Sequence, residues 1–293
     1  MLAAAALTAA GFGPRPPAAA DGPLTLDVMT FNIRYGTAAD GADEWSARRQ
    51  SVIDLIERHG PDVLGLQEAL AFQLAEIAEG VEGYARVGVG RDDGLLAGEF
   101  SAILYDADRL LVDRSGTFWL SDTPSVPASS SWGNGIPRIC TWARFVDARS
   151  GRAFWVYNTH FDHRSQASRE RAAAAIVAHA AERTGREPLV VMGDLNAGPD
   201  NPAVRLLLSQ RRGEPALKDV VAGTPDAEAG GTFTGFDPES DGGTRIDWVL
   251  VSEAAAVTGA SIVRDRRPDG RWPSDHFPVR ATVTFGDAGE AGD

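Results

Sequence analysis

The sequence predicts an α/β fold in which two mixed β-sheets pack face to face with helices outside. Two observations predict it. Short apolar runs of strand length alternate with helical patterns along the chain. The strands outnumber the helices, and the helices are interspersed, which suits two packed sheets better than a doubly wound parallel sheet. No internal repeat and no linker divides the 293 residues, and the hydrophobic share of 43% supports a sizeable core.

The elements follow in order. Leu24–Ile33 alternates apolar and polar residues and is β-rich, so it is a strand. Trp45–His59 places Trp45, Val52, Ile53, Leu55 and Ile56 at helical spacing and ends at Gly60-Pro61. Asp62–Glu68 is a short buried strand ending in an acid, and Ala71–Ala78 is a helix closed by Gly80. The middle of the chain is strand-rich, with runs over Ser101–Asp106, Leu110–Leu120, Ile139–Asp147 and Phe154–His160. An alanine-dense helix over Ser168–Arg183 leads to the buried strand Pro188–Asp194, which again ends in an acid. Arg245–Ser252, Ala260–Asp265 and Phe277–Phe285 complete the strands. Two long irregular stretches, Ser121–Pro137 and Gly223–Gly243, are candidate functional loops.

Residues 1–23 are read as a signal-like or disordered leader, residues 24–286 as the folded domain, and residues 287–293 as a frayed tail. The leader has an apolar stretch and a small-residue run at Ala18-Ala19-Ala20, but no basic start. Export to the medium or cell envelope is the expectation, with a cytoplasmic location as the alternative. Nothing after the leader approaches the ~18 continuous apolar residues of a membrane span. A single cysteine, Cys140, excludes an internal disulfide framework and a Cys-rich zinc site.

The formal charge is −13. Proteins that grip long nucleic acid carry a basic face, because neutralising phosphates supplies much of the binding energy. The charge therefore favours a small or exposed partner over a long polyanion, and a monomer is expected.

Polar residues interrupt the apolar runs at strand ends. Asn32, Glu68, His160, Asp194 with Asn196, Asp247, and Asp275 with His276 all lie at or near such ends, where side chains can converge on a cleft. Carboxylates and amide oxygens without thiolates suit a hard cation such as Mg²⁺ or Mn²⁺. Each residue alone has a plainer reading: Asp and Asn form turns, Glu68 suits a helix start, and a lone His160 is most often structural.

The ordered segments TFNIR, LGLQE, NTHFDH, MGDLNA, RIDWVLV and SDHFPV resemble the endonuclease/exonuclease/phosphatase superfamily, the group of DNase I. The resemblance runs from about Leu26 to Phe285. The opening FNIRYGT, with Trp45, Arg48 and Arg49 soon after, and the segment SWGNGIPRICTWA resemble a bacterial branch whose members are often exported. The resemblance implies a four-layer αββα sandwich with its site at one edge of the sheets. It implies that Glu68, Asn32 and Asp275 hold a metal, and that Asp194 handles the attacking water. Asn196 would hold a phosphate oxygen, while His276, oriented by Asp247, would contact the scissile phosphate. His160 would stabilise the leaving oxygen. Arg138, ahead of a strand, is a candidate phosphate clamp, and His163 a candidate cleft residue. The implied function is divalent-metal-dependent hydrolysis of a phosphodiester or phosphomonoester by an activated water. The alternatives are a metal-dependent nuclease and, less favoured because the polar set is complete, a non-catalytic binding module on the same fold.

Overall fold

A computed structural model describes residues 22–183, 187–209, 215–222, 224 and 230–286. The leader before residue 22, the tail after 286 and part of the Gly223–Gly243 loop lie outside the described residues.

Twelve strands form two six-stranded sheets among the described residues. In chain order they are β1 (Leu24–Asn32), β2 (Val63–Ala69), β3 (Tyr84–Val87), β4 (Phe100–Asp106), β5 (Leu110–Trp119), β6 (Ile139–Asp147), β7 (Ala153–His160), β8 (Leu189–Asp194), β9 (Leu217–Asp219), β10 (Asp247–Ser252), β11 (Ala256–Ile262) and β12 (Val279–Phe285). The helices are α1 (Trp45–His59), α2 (Ala71–Gly80), α3 (Gln166–Ala181) and α4 (Pro202–Leu208). The first sheet has the order β11-β12-β1-β2-β4-β3 and the second β5-β6-β7-β8-β10-β9. Each contains one parallel pair, β1 with β2 and β7 with β8, among antiparallel neighbours.

The apolar residues separate into three cores, which is why there are four layers. Leu26, Val28, Val156, Val190, Val249 and Phe277 lie between the sheets. Phe31, Leu64 and Leu66 meet the α1 and α2 residues Val52, Ile56, Leu74 and Ile77 on the outer face of the first sheet. Tyr157, Val191 and Trp248 meet the α3 and α4 residues Ala173, Ile176, Val204 and Leu207 outside the second. At ~25 cal/mol per Å² of apolar surface, burial on both faces of each sheet supplies most of the stabilisation.

Local chemistry sets the helix ends. Gly60 takes the left-handed conformation (φ +46°) and its N–H bonds the carbonyl of Ile56, closing α1. The Ser165 hydroxyl accepts from the Ser168 N–H and the Asn201 side chain from the Ala203 N–H, capping α3 and α4.

The expected strands and helices are present with shifts of a few residues at their ends. Three elements were not anticipated. The four-residue β3 and three-residue β9 are too short to show a period. α4 did carry a signal, Asn201 followed by Pro202 at its first turn. Cys140 is fully buried, as a small hydrophobe would be.

Beneath one edge, a polar contact joins the sheets. Gln67 Nε2 donates to Asn158 Oδ1 (2.7 Å) and Thr30 Oγ1 (2.9 Å), while Asn158 Nδ2 donates to the carbonyls of Ala102 (2.7 Å) and Leu66 (2.9 Å). All three side chains are fully buried. Slippage of one sheet over the other would leave these buried donors without their acceptors, which penalises it.

Candidate active site

Strand direction explains why the strand-end residues meet. The parallel strands β1, β2, β7 and β8 reach the same edge at their C-terminal ends, where they carry Asn32, Glu68, His160 and Asp194. β10 and β12 run antiparallel, so they present their starts there: Asp247 opens β10, and Asp275-His276 precede β12. Within the second sheet the register is direct, with His160 opposite Asp194 on one side and Asp247 opposite it on the other. The register needs Gly193. Its φ is +143°, and a Cβ there would sit 1.9 Å from the Thr159 carbonyl oxygen.

The side chains form two connected groups. In the first, His276 Nδ1 lies 2.8 Å from Asp247 Oδ2, and its Nε2 lies 3.8 Å from Asp194 Oδ2. His160 Nε2 approaches that same Asp194 oxygen at 3.3 Å. Asp194 Oδ1 accepts the Asn196 N–H at 2.8 Å. In the second group, Glu68 accepts from Asn32 Nδ2 at 3.0 Å and from the Tyr35 N–H at 3.1 Å. Asn32 joins the groups, since Nδ2 also donates to Asp194 Oδ2 at 3.0 Å and lies 3.4 Å from His276 Nε2. Asp275 faces Arg34 Nε at 3.8 Å and accepts from the Ser274 hydroxyl at 3.3 Å.

Asn32 stands beside Glu68, where the expected metal ligand belongs, with its amide NH₂ toward the carboxylates. Its Oδ1 accepts the Arg34 N–H at 3.0 Å, which turns the NH₂ toward the carboxylates. In this arrangement it orients Glu68 and Asp194. Glu68 itself has φ +61°, at a register shift between β2 and β4. Such a conformation in a non-glycine residue costs on the order of 1–3 kcal/mol and points to local demands on the side chain's direction.

Burial separates the acidities of these groups. Asp194 is pushed up to about 7, first by burial and then by neighbouring Asp247. Asp275 is also raised by burial, with His276 opposing and Glu68 adding to the rise. Burial works against charge on His276, but Asp247 and Asp194 hold its affinity for a proton well above the usual histidine value. His160 goes the other way, held neutral by burial and by Arg138. A near-neutral carboxylate beside a protonated imidazole is a pairing suited to moving protons near pH 7.

The cleft over these groups has a volume of about 410 Å³. Arg138, 3% exposed, lines it with Nε and Nη1 lacking hydrogen-bond partners. Asp162 Oδ2 lies 3.7 Å from Nε, and Nη2 donates to His163 Nδ1 at 3.0 Å. This contact requires an unprotonated Nδ1, and burial and Arg138 lower the His163 pKa accordingly. Asn196 lines the same cleft, with Nδ2 donating to the Phe161 carbonyl at 3.0 Å. All ten residues singled out from the sequence thus belong to this edge.

Several other residues at the edge gave no sequence signal. Arg91 and Glu99 form a paired ion bridge with two 2.7 Å contacts in the cleft wall. Phe233 is 46% exposed at the cleft and meets the His276 ring edge-on at 5.0 Å. Thr232 and Thr234 brace the turns beneath: the Thr232 hydroxyl accepts the Asp247 N–H at 3.1 Å, and the Thr234 N–H donates to the Asp275 carbonyl at 2.7 Å. Only their chain segment, an otherwise unremarkable Gly-Thr-Phe-Thr, could have drawn attention.

The donor set fits a divalent cation. Asp194, Asp247 and His276 each offer an atom within 4.8 Å of the others. Asp247 Oδ1 is buried without a hydrogen-bond partner, and the raised affinities of Asp194 and Asp275 mark a cluster short of positive charge. Oxygen-rich sites of this kind suit hard cations.

Residues 29–276 match the Endonuclease/Exonuclease/phosphatase family. A family protein of known structure from Bacteroides thetaiotaomicron is 33% identical, with a TM-score of 0.83 over 91% of this chain and 100% of that one. A mannosyl-6-phosphatase from Bacteroides thetaiotaomicron is also 33% identical, with a TM-score of 0.81 over 89% of this chain and 100% of that one. An uncharacterized protein of Acanthamoeba polyphaga mimivirus is 32% identical over 152 residues, 47% of this chain and 54% of that protein. The chain spans about half the length of the curated relatives it matches.

Proposed function

Because the chain belongs to the endonuclease/exonuclease/phosphatase family, whose members hydrolyse phosphoesters, we propose that it is a divalent-cation-dependent phosphatase acting on a small phosphomonoester, a sugar phosphate first among them. One observation carries the reading: Asp247, His276 and Asp194 stand in a buried row beside Glu68 in one cleft.

The roles follow from the geometry. Asp194, with a proton affinity near neutrality, takes a proton from the attacking water. His276, kept protonated and oriented by Asp247, holds a phosphoryl oxygen or returns a proton to the departing alkoxide. Arg138, with Nη1 lacking a hydrogen-bond partner and Nε 3.7 Å from Asp162, supplies charge and a donor for the phosphoryl oxygens. Asn196 and His163 contact the substrate at the mouth. Glu68 and Asp275, steadied by Asn32 and Arg34, would hold Mg²⁺ or Mn²⁺, which when bound supplies Lewis-acid charge neutralisation.

A sugar phosphate is favoured over long nucleic acid by the net charge of −13 and by the likeness to a mannosyl-6-phosphatase. The test is a panel of hexose 6-phosphates, bis-p-nitrophenyl phosphate and plasmid DNA, each assayed with Mg²⁺, Mn²⁺ and chelator. Cation-dependent release of phosphate from a hexose phosphate is expected. Turnover indifferent to chelation refutes the cation's role, and preferred cutting of plasmid establishes the nuclease reading.

A further inference from the structure

The sequence motif Trp45-Ser-Ala-Arg48-Arg49 plays no part in the roles above, yet Arg48 is fully buried on α1. All four of its described hydrogen bonds end on backbone carbonyls. Nε donates to Asp43 (2.9 Å), Nη1 to Ile33 (2.6 Å) and Pro273 (3.2 Å), and Nη2 to Arg34 (2.9 Å). Trp45 and Phe236 stack against the guanidinium at 5.0 and 5.6 Å. Burial lowers its proton affinity to about 10, so it remains a cation at neutral pH.

The carbonyls it binds belong to the two turns that carry the cluster. Ile33 and Arg34 follow Asn32, and Pro273 precedes Ser274, Asp275 and His276. The first turn is strained, with Arg34 at φ +58°. This turn supplies the Arg34 N–H that orients Asn32 and the Tyr35 N–H that holds Glu68. The Ser274 hydroxyl adds a second tie to the Asn32 carbonyl at 2.7 Å. Asn32 then spans the gap, with its Nδ2 3.0 Å from Glu68 and 3.4 Å from His276.

We propose that Arg48 is a positioning residue that sets the separation between the Asn32–Glu68 side and the Asp275–His276 side of the cluster. Its rigid fork reaches carbonyls on three chain segments at once. A lysine ammonium has three donors at a single point and cannot span them. With Arg34, which faces Asp275 at 3.8 Å, it also offsets part of the charge of Asp275 and Glu68.

The inference rests on the proposed function only in its kinetic part. Arg48→Lys is compared with the wild type by circular dichroism, Mn²⁺ calorimetry, hexose phosphate kinetics and crystallography. The variant is expected to fold with a lower Tm. Mn²⁺ binding should weaken about tenfold, as when supporting groups around metal ligands are lost. The kcat should fall about 100-fold, as for a misplacement on the order of 1 Å, with KM within about threefold. In its structure the 3.4 Å gap between Asn32 and His276 should open by about 1 Å. A lower Tm with unchanged Mn²⁺ affinity, kcat and gap would make Arg48 a fold residue only and overturn the proposal. If the wild type neither binds Mn²⁺ nor turns over, the proposed function falls and the crystallographic gap alone decides this one. Should Arg48→Lys not fold, Ser274→Ala removes the second tie and is expected to lower kcat about tenfold; no change would overturn the proposal.

Discussion

Opposite ends of the sandwich bury the same residue types to opposite effect. At the far end, Arg109 lies between Asp62 (2.6 Å) and Asp147 (2.9 Å), and Asp147 also accepts from the Ser150 N–H and hydroxyl. Burial pushes the Asp147 carboxyl up, but Ser150 and Arg109 overcome it and hold its affinity below the usual range. At the cleft end, Asp194 and Asp275 are raised, Asp247 keeps an unpartnered oxygen, and Arg48 gives its donors to backbone carbonyls. Satisfied charges hold the fold together. Unsatisfied ones leave capacity for a proton, a cation or a phosphate.

The sharpest way to break this contrast is at His276. His276→Ala should lower kcat by about 10⁴, on the order of 5–6 kcal/mol of barrier, in a protein that still folds but at a lower Tm, because buried Asp247 loses its partner. Retained turnover in the folded variant would remove His276 from the mechanism. Asp147→Ala should cost stability alone. Leaving Arg109 with Asp62 as its one carboxylate partner costs roughly 1.5–3 kcal/mol, read by urea denaturation, while kcat stays unchanged. A comparable loss of activity would show that the two ends are not independent.

Acid and base responses sharpen the comparison. A carboxyl held below its unfolded value near ~3.9 contributes stability above that pH and loses it as pH falls through the folded value. Asp147 thus stabilises the protein at neutrality, and this contribution starts to fall below about pH 4 and is gone once pH drops beneath its lower folded value. Asp194 has the opposite sign. Its folded value, about 7, lies above the unfolded one, so ionisation destabilises the fold increasingly from about pH 4 and levels off near pH 7. In chelated protein, Asp194→Asn is expected to raise Tm at pH 8, with the gain shrinking toward pH 4. A gain independent of pH would mean that its charge is not the cause. The smallest effect belongs to neither end: breaking the exposed Arg205–Asp200 pair with Asp200→Ala should leave Tm and kcat unchanged.

Much of this architecture was legible before any coordinates. Apolar periods marked ten of the strands and three of the helices, and β3 and β9 escaped because three or four residues are too few for a pattern. The strand-end residues Asn32, Glu68, His160, Asp194, Asp247 and His276 stood out as polar interruptions of apolar runs. Others stayed hidden for a physical reason. Gln67 and Asn158 are polar residues inside apolar strands with no visible partner in sequence, and only the second sheet lying across the first pairs them. Arg48 is visible in the sequence only through the resemblance to the bacterial branch, and its contacts appear when the turns at 33–34 and 273 close over it.

By itself, the sequence determined which segments are strands, which faces are apolar and which polar residues sit where strands stop, because these depend on local periodicity and on the cost of burying polar groups. Tertiary structure alone decided that Asp194 stands between His160 and Asp247, that Asn32 offers its amide NH₂ to two carboxylates, and that Arg48 holds two turns together. Those facts depend on register between strands far apart in the chain, which no local pattern encodes.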